Sequence, residues 1–286
     1  SVTGTLTWTG GTMSGGGQTV VEAGGTLSMP SGTRTLNRTL VSKGTATWTG
    51  GALQMNGGTL VNEGTFTASL ASGLIQSFGI GGTNAFENLG TFVKAGGGTV
   101  QFLLSSTPVP FNNAGLVQVQ SGTLSCSVGG SHGGDFEVSS GAVLGLAGTH
   151  VLAASSDVTG AGTLELGGVV TLAGSTSVGS LLVNGGAATF EGPFSVTGNT
   201  TISAGTAAFN GGNVFPANST LTISGGTFVP GQSVSVANVI LSSGTLSGSA
   251  STTATGTLTW TGGGVSRGGP TGGEAGGTPS LACGAR

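Results

Sequence analysis

The chain has 286 residues, of which 61 are glycine and only 5% are charged, and its formal net charge is -3. Its six cations, Arg34, Arg38, Lys43, Lys94, Arg267 and Arg286, are scattered singly, so no track for a phosphate backbone exists and nucleic acid is excluded as a partner. No apolar run approaches the roughly 18 residues of a membrane-spanning helix, so no membrane insertion is expected of this segment, and a 36% hydrophobic content sets the chain apart from low-complexity disorder.

The first predicted element is the strand in Gly4-Thr5-Leu6-Thr7-Trp8-Thr9-Gly10-Gly11. It recurs as Gly44-Thr45-Ala46-Thr47-Trp48-Thr49-Gly50-Gly51 and, identically to the first, as Gly256-Thr257-Leu258-Thr259-Trp260-Thr261-Gly262-Gly263. Alternation puts Leu6 and Trp8 on one face and the threonines on the other, the period of a half-buried strand closed by a glycine turn. Taking one glycine as the opener of each coil gives Gly4, Gly25, Gly44, Gly64 and Gly90, then Gly122, Gly141, Gly162, Gly186, Gly205, Gly226, Gly244 and Gly256, with most steps between 18 and 21 residues. The longer steps hold two candidate surface loops, Ser72 to Gly82 and Ser105 to Pro110. Shorter alternating runs fill the intervals, such as Thr99 to Phe102, Leu116 to Val119 and Thr163 to Leu166. No segment has a helical period.

Between Leu40 and Val117 a corner signature repeats, in Leu40-Val41-Ser42-Lys43-Gly44, Leu60-Val61-Asn62-Glu63-Gly64, Phe86-Glu87-Asn88-Leu89-Gly90 and Phe111-Asn112-Asn113-Ala114-Gly115. The expectation is a turn in which stacked Asn side chains continue a hydrogen-bonded ladder and Gly supplies positive φ. A longer repeat lies above the short one: an offset of 252 places residues 1–34 on 253–286 with 21 identities, Glu22 on Glu274 and Arg34 on Arg286 among them. In the second copy Gly272-Gly273 replaces Val20-Val21, so 1–264 reads as one domain and 265–286 as the degenerate start of a further super-repeat, frayed or disordered.

A coil of about 20 residues cannot bury an apolar face alone, but stacking of parallel strands buries Leu, Val and Phe in rows and satisfies the backbone between coils. The fold class is therefore all-β, a parallel β-helix or β-solenoid of 13 or 14 coils; an antiparallel sandwich or propeller is the alternative. Cys126 and Cys283 lie 157 residues apart, on the order of 38 Å along such a rod, too far for a disulfide, so two free thiols are expected. Strand edges at both ends, with few charges to block them, point to end-to-end self-association.

The octapeptide above, the string Phe111-Asn112-Asn113-Ala114-Gly115-Leu116-Val117-Gln118-Val119-Gln120-Ser121-Gly122-Thr123-Leu124, and Gly160-Ala161-Gly162-Thr163-Leu164 resemble the repeats of large bacterial secreted surface proteins of the filamentous-haemagglutinin or autotransporter-passenger type. The likeness is one of repeat grammar and covers nearly all of 1–264. It implies a right-handed parallel β-helix outside a bacterial cell, working as a stalk, adhesin or matrix component, with surface glycans or proteins of a host or matrix as partners. A composition with few charges, no Tyr and abundant Gly, Thr, Ser and Asn also favours export.

Parallel β-helices include polysaccharide lyases and hydrolases, which need clustered carboxylates or a bound cation. Here the carboxylates are scattered, and the one local constellation, His132-Gly133-Gly134-Asp135-Phe136-Glu137, reads as a solvated turn; His150 reads as an exposed strand residue. No residue is assigned as catalytic, metal-ligating or cofactor-binding, no cofactor is expected, and the chain reads as no enzyme. A carbohydrate-active β-helix enzyme stays open as one alternative, and an ice-binding β-solenoid using outward Thr-x-Thr rows as another. The rows look interrupted, because strands taken as equivalent carry Leu116 to Gln120 and Leu164 to Leu166.

Overall fold

A computed structural model describes residues 1–79 and 82–266. Among these there is no helix; parallel strands stack into a β-solenoid of about 13 turns, roughly 20 residues apart. At about 4.8 Å per turn the rod is about 58 Å long. Every paired ladder is parallel, which removes the antiparallel alternative.

Each turn contributes to three faces. The first face begins with Thr5–Thr7, Thr26–Met29 and Thr45–Trp48, the second with Gly11–Met13, Arg34–Leu36 and Leu53–Met55, and the third with Gln18–Val21, Thr39–Ser42 and Thr59–Asn62. In later turns one strand bends around a corner. Ser180–Phe190 pairs with Thr163–Leu166 on the second face through its first half and with Val169–Leu172 on the third through its second.

The glycine series predicted the turn number but not the faces. Gly4 to Gly90 precede first-face strands, Gly122 and Gly162 precede second-face strands, and Gly186, Gly205, Gly226 and Gly244 precede third-face segments. The same slip governs the octapeptide. Thr5–Thr7 and Thr45–Trp48 lie on the first face, whereas Thr257 to Trp260 pair with Asn238 to Leu241 on the second. The offset of 252 thus rotates a sequence by one face. Alternation survives the rotation: Trp48 is fully buried, and Trp260 stands beside buried Leu241 on the last described second-face rung, 52% exposed. The reading of 265–286 lies, beyond Ser266, outside the described residues; Gly264–Val265 forms a strand paired with Thr245–Leu246.

Inward residues form rows down the rod, the densest being Phe66, Phe86, Phe92, Phe102 and Phe111, whose neighbouring ring centroids lie 4.8 to 5.6 Å apart. Burial of each such ring contributes about 1.5–3 kcal/mol. Cys126 sits in this core as a free thiol, its pKa pushed up by burial. Cys283 lies outside the described residues.

The corner signature forms the ladder its spacing predicts. Asn62 Nδ2 donates to Asn88 Oδ1 at 2.7 Å, and Asn88 Nδ2 to Asn113 Oδ1 at 2.7 Å, all three side chains being buried. The same amides donate to the carbonyls of Thr91, Leu116 and Asp135 in the next turn. The glycines that follow are needed for a different reason than expected. Gly64, Gly90 and Gly115 do not have positive φ; rather, a Cβ on Gly90 would stand 2.2 Å from the Gly64 carbonyl oxygen, and one on Gly115 2.0 Å from that of Gly90. Close approach of rungs, not backbone handedness, excludes side chains there.

At other corners carbonyls turn inward and take donors from long side chains. Arg34, fully buried, donates to the carbonyls of Trp8, Ser31 and Gly50, and Lys94, also fully buried, to those of Ala95, Gly96 and Ser121. Burial lowers the pKa of both. Trp48 Nε1 serves the same corner through Gly50 and Gly51.

Two substitutions test these contacts. Gly90→Ala is expected to destabilise the rod by about 1–3 kcal/mol through overpacking against a backbone carbonyl. Asn88→Leu is expected to cost about 1–3 kcal/mol for each polar group it orphans, on Asn62 and Asn113. Both are read as shifts of the urea midpoint; an unchanged midpoint for either would contradict the corner geometry.

Candidate functional site

The two inserted segments meet at one corner, between the second and third faces. Ser72–Gln76, expected as loop, is a second-face strand paired with Thr99–Phe102, because Ile75 falls into the inward row beside Leu53 and Phe102. The irregular chain starts only at Ser77, with Ile80 and Gly81 outside the described residues, and its counterpart one turn on runs from Leu103 to Pro110.

Side chains staple these segments together. Asn56 Oδ1 accepts from Ser77 Oγ at 3.2 Å, Phe78 N at 3.1 Å and Gly79 N at 2.9 Å. Ser77 Oγ lies 2.6 Å from Thr107 Oγ1, which accepts from Asn84 Nδ2 at 3.0 Å, while Asn84 Oδ1 accepts from Gly57 N at 2.7 Å. Ser105 Oγ donates to the Ser77 carbonyl and accepts from Ser77 N at 3.0 Å. Asn and Ser suit this task because their short polar arms satisfy loop backbone locally. The staple leaves Phe78, 57% exposed, and Leu104, 59% exposed, pointing away from the core. Fixed, exposed apolar side chains on an irregular segment are the arrangement of a contact site.

The His132 to Glu137 constellation is divided by the sheet. Gly129–His132 is a third-face strand rather than a turn, and His132 is 2% exposed. His150 is fully buried, contrary to the expectation of an exposed residue, because it shares strand parity with Leu152, leaving Val151 outside at 51% exposure. His132 Nε2 and His150 Nδ1 are 2.9 Å apart, and His150 Nε2 faces the carbonyls of Cys126 and Ala147 at 3.1 and 2.9 Å. Two carbonyls at Nε2 assign the proton there, so His150 Nδ1 accepts from His132 Nε2, and the buried His132 Nδ1 carries a lone pair without a partner among the described residues.

Asp135 and Glu137, in the strand Asp135–Val138 rather than a turn, point outward. Asp135 Oδ1 accepts from Asp157 N at 3.0 Å and Glu137 Oε2 from Gln118 Nε2 at 2.8 Å. The backbone thus separates imidazoles from carboxylates. Other outward carboxylates pair with the neighbouring turn in the same way: Glu87 with Asn112, Glu165 with Asn184, and Glu191 with Asn210. An open recess of about 470 Å³ beside this region is lined by Glu87, Asn112, Ser131 and Val151. Among the described residues no group of three or more His, Cys, Asp or Glu is placed to hold a metal ion, and no helix is long and apolar enough to cross a membrane.

No family model, curated protein or solved structure matches the chain. A signal for the buried His132 was present: Gly130-Ser131-His132-Gly133-Gly134 has the spacing of the corner signature, with His in the place of Asn, and His132 follows Asn113 in register. The interior position of Lys94 had a signal too, in its parity with Phe92.

Burial lowers the pKa of both histidines, and His132, also repelled by His150, is pushed down to about 3. The unfolded chain, with ordinary histidines near 6.5, therefore binds protons that the folded rod refuses. This contribution to stability is fully present above about pH 6.5 and falls as pH drops from there towards 3. The urea midpoint is expected to fall between pH 7 and pH 5, above the ordinary carboxylate range, and to fall less in the double variant His132→Asn, His150→Leu. An equal fall in both proteins would remove the histidine pair as its cause.

Proposed function

We propose that this chain is a non-enzymatic rod segment of an exported bacterial cell-surface protein, with a structural and adhesive role. The observation that carries the reading is the stapled loop pair, which holds Phe78 and Leu104 outward on a stack of otherwise regular rungs. A rod of repeated turns sets a contact site at a fixed distance from its base, and loops interrupting the period are where such rods bind. The separation of His132 and His150 from Asp135 and Glu137 favours this role over that of a carbohydrate-active enzyme. Surface glycans or proteins of a host or matrix are the partners this reading names. End-to-end association of copies belongs to this reading as well, through the unpaired edges of stacked strands.

The test is retention of the whole chain on immobilised matrix glycoproteins and polysaccharides. Exposed apolar anchors of this kind contribute a factor of about ten or more in affinity, so Phe78→Ala with Leu104→Ala is expected to lose retention by at least about that factor while keeping the wild-type melting temperature. Release of new reducing ends from any polysaccharide in the panel would overturn the non-enzymatic reading, and undiminished retention of the double variant would remove the loops as the contact.

A further inference from the structure

On the first five turns of the first face, two outward columns are built almost wholly of threonine. One runs Thr5, Thr26, Thr45, Thr65 and Thr91; the other runs Thr7, Ser28, Thr47, Thr67 and Val93, with unshifted register throughout. The strand expected to interrupt this array, Leu116–Val119, ends it at the sixth turn, whereas Thr163–Leu166 belongs to the second face and never enters it. Eight of ten consecutive outward positions are therefore threonine. All ten are exposed or half-buried, and among the described residues no protein group takes up the threonine hydroxyls.

This is a lattice in two directions. Threonines repeat about every 4.8 Å along the rod and about every 6.7 Å along each strand, over about 19 Å of rod. Branching at Cβ restricts χ1, which narrows the orientations that the hydroxyl and methyl groups take. Beneath them Leu27, Trp48, Phe66 and Phe92 are fully buried, which holds the rungs rigid. No charge, amide or aromatic ring stands in either column until Gln118, Asp135 and Glu137, further down the face. The charges nearest in sequence precede the face at its corner: Lys43 and Glu22, which lie 3.5 Å apart, and Glu63, two residues before Thr65.

A surface of this kind offers nothing to grip a single molecule. A sugar chain is held by ring stacking and directed amide or carboxylate hydrogen bonds, and a protein by buried anchors; both columns lack these groups. What matches it is a flat, uncharged solid that repeats in two dimensions and presents water at fixed spacings: hydroxyls replace lattice waters, and the methyl rows lie against the gaps between them. We propose that the Thr5 to Thr91 face binds ice. The proposal adds to the rod reading and does not depend on it, since Phe78 and Leu104 lie at another corner.

Partition of the whole chain between slowly growing ice and the remaining liquid tests this directly. The wild type is expected to enter the ice, the double variant Thr45→Lys, Thr65→Lys to be excluded like an inert protein, and Ser177→Lys, lower on the same face, to enter as the wild type does. Circular dichroism melting verifies that all three are folded, which is expected because each substituted residue is exposed. Exclusion of the wild type, entry of the double variant, or exclusion of Ser177→Lys would each overturn the proposal. So would sedimentation of the wild type with crystalline cellulose when it does not enter ice.

Discussion

The close stacking of one parallel rung on the next is the constraint from which the rest of this structure follows. Backbone groups of each rung are satisfied by its neighbours, so a turn has no fold of its own and takes its register from the turn beneath it. The spacing leaves no slack at corners. The carbonyl of one corner glycine occupies the space where a Cβ on the next would lie, from Gly44 through Gly64, Gly90 and Gly115 to Gly134. Much of the chain's glycine is a consequence of this contact.

Polar groups inside the rod follow from the same constraint. Where the chain turns, carbonyls point inward and must be met by donors, since an orphaned buried acceptor is costly. Asn does this where the corner repeats, because its amide donates to the next Asn and to a carbonyl at once. Where the corner changes shape, Arg34, Trp48, Lys94 and His150 reach the carbonyls instead. Two of the six cations are thus spent inside, on backbone carbonyls rather than on carboxylates, and the surface is poorer in charge than the composition suggests.

Along the outside the rod is divided by turn. The first five turns carry threonine on the first face and the Asn ladder at the third-face corner, and the stapled loops add an apolar projection at another corner. From the sixth turn the first face carries Gln118, Asp135 and Glu137, and in these later turns amides donate to carboxylates of an adjacent turn. Glu87, Glu137, Glu165 and Glu191 are thus held in cross-turn pairs, which fix register.

The amino-acid sequence by itself determined that strands of period two stack as a parallel solenoid, how many turns there are, and that an Asn ladder runs from Asn62 to Asn113, because these depend on spacing within one turn and on its recurrence. Which face each strand joins was decided by tertiary structure alone, since insertions near Ser77 and Leu103 and the bent strands of later turns shift the count of residues between corners. Hence one octapeptide occupies two faces, and the threonine columns, scattered in the sequence, close into one array only when the register is known. The burial of Lys94, His132 and His150 was likewise decided in three dimensions, because a polar residue at an inward position is tolerated only where a neighbouring turn supplies its partner.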